Sequence, residues 1–81
     1  MKVKVKLFAI LREKAGTGEF IKDVETGTTV GQLWQSLQQA YPALAVSGLR
    51  LLYAVNQNYV GAEHVLEDMD EVVFVPPVSG G

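Results

Sequence analysis

The sequence contains no cysteine, and this one absence excludes several kinds of chemistry. A chain without a thiol cannot form a disulfide, supply a cysteine ligand to zinc or use cysteine as a nucleophile. It also cannot store sulfur as a persulfide on one of its own side chains. Any sulfur chemistry in which this chain takes part must therefore use a different atom.

Basic residues are not in surplus, and long apolar runs are missing. The net charge is −2, so no excess of cations indicates a nucleic-acid partner. No stretch approaches the ~20 apolar residues of a membrane helix, and residues 1–6 lack the apolar core of a signal peptide. We expect a soluble, cytoplasmic protein that binds neither a membrane nor nucleic acid.

The composition that remains is that of one small globular domain. The chain has 81 residues, of which 48% are hydrophobic and 20% charged, and this balance predicts a single folded unit with a small core. His64 is the only histidine, so we expect a solvated side chain and no metal site. The acidic residues around it are expected to form a solvated face: Glu63, Glu67, Asp68, Asp70 and Glu71.

Alternating hydrophobicity predicts up to five strands. Residues 2–7 alternate strictly between lysine and an apolar residue, which is the pattern of a half-buried strand. Phe20 and Ile21 are expected to supply the packing side chains of the second strand. The other predicted strands are 19–24, 51–55, the short 59–61, and 71–75. Residues 12–18 read as a turn or short helical fragment that joins the first two strands into an antiparallel hairpin.

One amphipathic helix is predicted between the second and third strands. Thr29 and Gln32 form a capping-box pattern at its start, and Tyr41 precedes a proline that ends it. The apolar residues follow helical spacing and are expected to face the core: Val30, Leu33, Trp34, Leu37 and Tyr41. We predict an α+β roll in which this helix covers a mixed four- to five-stranded sheet, with strands one and five paired in the middle.

The chain ends in Gly80-Gly81, directly after a stiff proline-containing segment. We therefore divide it into a domain, residues 1–75, and an extended tail, residues 76–81. The prolines favour an extended path, and six residues span roughly 20 Å when extended. The small residues of the tail suit a narrow channel in another protein. We expect the threading residues to be Pro76, Pro77, Val78, Ser79 and Gly80, with the unhindered Gly81 carboxylate as the reactive group.

Four stretches of the sequence carry a family resemblance. They are Leu7-Phe8-Ala9 with Leu11-Arg12-Glu13, Thr29-Val30 with Leu33, Ala54-Val55-Asn56-Gln57, and the segment from Leu66 to the Pro-Pro-Val-Ser-Gly-Gly ending. On these motifs the chain resembles the small subunits of molybdopterin synthase, the sulfur carriers of molybdenum-cofactor synthesis, which have the ubiquitin-like β-grasp fold. One departure is Met69, where the family usually has glycine, and a positive φ there would strain methionine.

The resemblance implies a reaction at Gly81 that other proteins catalyse. An ATP-dependent partner similar to ubiquitin-activating enzymes would adenylate the C-terminus, and a sulfur donor enzyme would convert it to a thiocarboxylate. The large subunit, in a heterotetramer of two small and two large subunits, would then accept the tail and pass the sulfur to a cyclic pyranopterin. The chain would be no enzyme alone and would bind no cofactor, since the partner uses the ATP and the large subunit holds the catalytic residues.

Strand parity predicts where those partners dock. If Val3, Val5 and Leu7 face the helix, Phe8 points outward with the lysines. On the last strand, Val73 and Val75 face outward if their neighbours face the core. With strands one and five adjacent, Phe8, Val73 and Val75 would form an exposed apolar patch that leads to the tail, and such patches often mark interfaces.

Other functions compatible with a diglycine ending stay open at this point. One is a sulfur carrier for thiamine synthesis or tRNA thiolation, although thiamine carriers tend to be shorter and to lack the double proline. Another is a ubiquitin-like modifier that is conjugated to lysines. The last is a ubiquitin-like interaction domain, which would not need Gly81.

Overall fold

The computed structural model describes residues 1–45 and 51–76. The chain forms strand β1 (Lys2–Leu7), helix α1 (Ile10–Ala15), strand β2 (Glu19–Asp23), helix α2 (Val30–Ala40), a 3₁₀ turn (Pro42–Leu44), and strands β3 (Leu52–Val55), β4 (Asn58–Val60) and β5 (Glu71–Val75). The predicted elements are confirmed in number and order. Two elements start earlier than expected: β4 begins at Asn58 instead of Tyr59, and α1 begins at Ile10 instead of Arg12, directly after Ala9, which has a φ of 52°.

The strands form one mixed sheet in the order β2-β1-β5-β3-β4. β1 and β5 pair in parallel at its centre, with Val5 opposite Val72 and Leu7 opposite Phe74. The remaining neighbours are antiparallel. This confirms the central pairing of strands one and five, and it is the topology that the β-grasp resemblance predicts.

Helix α2 lies against one face of this sheet and builds the core with it. Most of the fully buried side chains come from the inward positions of β1 and β5 and from the apolar stripe of α2: Val3, Val5, Leu7, Val72, Phe74, Val30, Leu33 and Leu37. Leu11 of α1 and Leu44 of the 3₁₀ turn complete the set. Phe74 is the largest of them, and its ring lies 5.0 Å from that of Trp34 and 5.7 Å, edge-on, from that of Tyr53. Trp34 and Tyr41 pack against this core as predicted.

The first turn of α2 is fixed by the predicted capping box. The Thr29 hydroxyl accepts from the Gln32 amide at 3.2 Å, and the Gln32 side chain accepts from the Thr29 amide at 3.0 Å. Gly31 in the same turn allows a close approach, since its amide donates to the Ala62 carbonyl at 2.8 Å. A Cβ at Gly31 would lie 3.2 Å from both the Cβ and the carbonyl oxygen of Ala62. Glycine is therefore used here for helix–loop packing.

The N-terminus is tied to the end of β2. The terminal amine donates to the Val24 carbonyl at 2.9 Å, and the Val24 amide donates to the Met1 carbonyl at 2.8 Å. Nearby, Ile21 corrects the expectation that it packs inward, because 60% of its surface is exposed. It pairs with Lys4 on the solvent side of β1, whereas Phe20 pairs with the buried Val5.

The loop before β5 holds two further findings. Met69 has a φ of 72°, so the methionine does occupy a left-handed conformation that glycine would adopt without strain. Asp70 corrects the expectation of a fully solvated acidic face, because only 7% of it is exposed. Its carboxylate accepts from the Asn56 side chain and from the Glu67 amide, both at 2.8 Å, and so joins the β3–β4 turn to this loop.

Met69→Gly should stabilise the domain by about 0.5–1 kcal/mol, because it relieves the left-handed strain. Little packing is lost, since 77% of Met69 is exposed. Chemical denaturation measures the free energy of unfolding. Met69→Ala is the control, because alanine keeps the strain and should give no comparable gain; an equal gain from alanine would contradict the explanation.

Asp70→Ala should destabilise the domain by about 1–3 kcal/mol, because both part-buried hydrogen bonds of its carboxylate, from Asn56 and from the Glu67 amide, are lost. Asp68→Ala is the matched control. The Asp68 carboxylate also accepts one hydrogen bond, from the Lys2 amide at 2.7 Å, but that contact is exposed, so its loss should cost clearly less. Equal losses for the two variants in thermal unfolding would contradict the role given to Asp70.

Candidate functional site: the tail root and the open face

The tail leaves the sheet from its central strand. Because β1 and β5 run parallel, their carboxyl ends lie at the same end of the sheet, where Leu7 pairs with Phe74. Phe8 follows one strand there, while Val75 and the half-buried Pro76 complete the other. We call this end the tail root. Residues 77–81 lie outside the described residues, so the roles predicted for Pro77, Val78, Ser79, Gly80 and Gly81 stay predictions.

The sheet face opposite α2 carries an apolar half beside the tail root. Phe8 is 48% exposed, and it lines a crevice together with Lys6 and Glu19, which places it on this open face. Val73 and Val75 are half-buried, and they alternate with the inward Val72 and Phe74. The structure thus brings the three predicted interface residues to the same side of the sheet.

Strands β3 and β4 extend this surface in a way that the sequence did not reveal. Leu52 pairs with Val75, Ala54 pairs with Val73, and Tyr59 pairs with Ala54. Leu52 is 52% and Tyr59 74% exposed. We name the whole surface the open-face patch: Phe8, Leu52, Ala54, Tyr59, Val73 and Val75. The alternation in β3 was visible in the sequence, but only the strand order shows that these residues adjoin β5.

The other half of the open face is a set of ion pairs along β1. Lys2 contacts Asp23 at 2.9 Å, Lys4 contacts Glu19 at 2.7 Å and Lys6 contacts Glu71 at 3.5 Å. All three pairs are accessible to solvent, so each contributes little to stability. Together they make this half locally neutral.

Two of these pairs move the pKa values of Lys4, Glu19 and Asp23 further from neutral pH. The hydrogen bond from Lys4 lowers the pKa of the Glu19 carboxyl, and the same bond raises the pKa of Lys4. Lys2 lowers the pKa of Asp23 in the same way. A carboxylate with a lowered pKa and an ammonium with a raised one are poor proton carriers at pH 7. None of these groups is therefore suited to acid–base catalysis.

The described part of the chain contains neither a metal-binding cluster nor a membrane-spanning helix. No group of three or more His, Asp or Glu side chains there is close enough to hold a metal ion, and His64 is exposed as predicted. Neither α1 nor α2 is long and apolar enough to cross a membrane.

Comparison with known proteins identifies the family of this chain. Residues 5–81 match the family model described as the ThiS family. The chain belongs to the ThiS family. Among its relatives in that family is the molybdopterin synthase sulfur carrier subunit of Mycobacterium tuberculosis, 43% identical over 100% of this chain and 99% of that protein. The subunit of the same name from Escherichia coli is 42% identical over 98% of this chain and 99% of its own length.

Solved structures show the same fold for this ThiS-family chain. SAMP1 of Haloferax volcanii, a small archaeal modifier protein, superposes with a TM-score of 0.88 at 30% identity, over 100% of both chains. The match confirms the ubiquitin-like β-grasp fold. The resemblance to molybdopterin synthase small subunits, stated from the motifs, is confirmed by the relatives.

Proposed function

We propose that this chain is the sulfur-carrying small subunit of a molybdopterin synthase, and that the sulfur is held on the C-terminal carbon of Gly81. The names of its full-length relatives support the carrier role. The absence of cysteine supports the location of the sulfur, because no side-chain thiol is available. The observation that carries the proposal is that the central strand β5 ends at Val75, directly before the tail.

The reaction begins with activation of the carboxylate. An α-carboxyl group has a pKa of about 3.3–3.7, so it is ionised at pH 7 and acylates poorly. In the proposed first step a carboxylate oxygen attacks the α-phosphorus of ATP on the activating partner, and pyrophosphate leaves. Hydrosulfide supplied by the donor enzyme then attacks the acyl carbon, AMP leaves with the electrons of the C–O bond, and loss of the sulfur-bound proton leaves a thiocarboxylate on Gly81. The large subunit supplies the catalytic groups that transfer this sulfur to the pyranopterin.

The domain contributes rigidity to this reaction. β5 is hydrogen-bonded on both sides, to β1 and to β3. Its penultimate residue, Phe74, is fully buried and fixes the end of the strand in the core. The tail root is therefore held firmly while residues 76–81 reach into a partner. A fixed root lowers the entropy lost when the tail is bound.

The open-face patch is the proposed docking surface for both partners. It adjoins the tail root, and its exposed members are large and apolar, which is typical of the centre of a protein interface. The activating enzyme and the large subunit would bind it in turn, because one surface cannot hold two partners at once. We place these events in the cytoplasm, and we assign no bound cofactor to the chain itself.

A second candidate function is conjugation to proteins, and the similarity to the small archaeal modifier protein favours it. A modifier uses the same adenylated terminus, but a lysine amine replaces AMP and an isopeptide bond forms. The two fates share the first step and differ in the nucleophile. Carriers for thiamine or tRNA thiolation would also share the thiocarboxylate.

Incubation with the activating enzyme, ATP and the sulfur donor should raise the intact mass by one oxygen-to-sulfur exchange. Deletion of Gly81 should abolish the gain, because it removes the reacting carbon. Ser79→Ala is the control that changes the tail and keeps its end. A full gain without Gly81 would contradict the proposal, and isopeptide adducts in place of the gain would favour the modifier. Formation of a dithiolene on a pyranopterin by the loaded chain and the large subunit would separate molybdopterin from the other carriers.

Phe8→Asp should weaken binding to the large subunit by about tenfold or more, since a central apolar contact of an interface is lost and a charge is desolvated. Ile21→Asp is the matched control. Ile21 lies on the same open face and is also exposed, 60% against 48% for Phe8, but it is outside the open-face patch. Titration calorimetry on both folded variants measures the dissociation constants. Equal effects of the two substitutions would overturn the patch assignment.

A further inference from the structure

Arg12 lies at the tail root in a crevice that no step above uses. The crevice is about 280 Å³ in volume and opens next to the open-face patch. Its polar and aromatic lining comes from the end of β1, from α1 and from the start of β2: Lys6, Phe8, Arg12, Thr17, Gly18 and Glu19. Ligand pockets are usually about 300–1,000 Å³, so this space suits a single side chain better than a nucleotide.

Gly18 leaves room for the Arg12 side chain to pack over it. A Cβ at residue 18 would lie 2.9 Å from Nε of Arg12 and 3.0 Å from its Cδ, closer than atoms pack. The side chain therefore occupies space that only glycine leaves free. A long side chain held along its stem loses less conformational entropy when its end binds a ligand.

The guanidinium of Arg12 has no ion-pair or hydrogen-bond partner within the described residues. The other two charges of the crevice are already paired, Lys6 with Glu71 and Glu19 with Lys4. Arg12 forms no ion pair and donates no side-chain hydrogen bond in residues 1–45 and 51–76, and this includes the adjacent Glu13. Among the described residues, the guanidinium of Arg12 thus has no acceptor, and it shares its crevice with Phe8.

We propose that Arg12 binds a carboxylate of the large subunit when the tail is inserted. The inference rests on the proposed function, and it adds an ionic anchor to the apolar docking surface. An aspartate or glutamate side chain fits the guanidinium fork in a bidentate arrangement, which lysine cannot reproduce. The partner surface that meets the tail root would therefore pair an apolar area with one acidic side chain at its border.

Titration calorimetry with the large subunit tests this anchor. Arg12→Gln should raise the dissociation constant about tenfold or more, the effect expected for a lost charged hydrogen bond in an interface. Arg12→Lys should recover only part of the loss, because it keeps the charge and not the fork. Lys14→Gln removes an equal charge from the same helix and should change binding less than about threefold, the size of a rim-charge effect.

Gly18→Ala separates position from charge. The three atoms nearest the added Cβ all belong to the flexible Arg12 side chain, so the domain should fold while the arginine is displaced. Circular dichroism checks the fold. Gly18→Ala should weaken binding in the native background and add nothing in the Arg12→Gln background.

The outcomes divide cleanly. Unchanged affinity for Arg12→Gln, an equal loss for Lys14→Gln, or full additivity of Gly18→Ala with Arg12→Gln would each overturn the anchor. In all three cases the native chain still binds the large subunit and still gains sulfur at Gly81. Failure of the proposed function itself looks different, because the native chain would then show neither binding nor the mass gain.

Discussion

The parallel pairing of β1 with β5 is the constraint on which the rest of the molecule depends. It joins residues near the two ends of the sequence at the centre of the sheet, with Leu7 opposite Phe74. The same register buries one set of side chains under α2 and turns the other set to the open face. It also brings Phe8 and Arg12 to the end of the sheet from which the tail departs. A shift of one residue would exchange the two faces and remove the site.

The two faces of the sheet have different physical tasks. The α2 face supplies stability through close packing around Phe74, and its aromatic neighbours hold the last strand in place. The open face contributes little to stability, because its ion pairs are solvated and its apolar side chains are exposed. This division leaves the open face free to be shaped by binding, while the core holds the tail root in place.

Much of this arrangement follows from sequence patterns, for identifiable reasons. Alternation in β1 and β5 fixes their parity, and Thr29 with Gln32 defines the start of α2, because both signals are local. The place of Leu52 and Tyr59 in the open-face patch could not be predicted, because it depends on the strand order, and pairing between distant strands is not a local property. The prediction that Asp70 is solvated was wrong, because it treated Asp70 like its acidic neighbours in the sequence. Its burial depends on the Asn56 side chain, which comes from another turn. The packing of Arg12 over Gly18 could not be predicted either, because it joins α1 to the loop before β2.

The anchoring of the N-terminus to Val24 has a practical meaning for the geometry of any assembly. Since β1 starts there and runs toward the tail root, the amino end and the tail root lie at opposite ends of a strand about 20 Å long. A reporter dye, a surface tether or a whole fused protein attached ahead of Met1 would stand behind the carrier, out of the path of anything that receives its terminus.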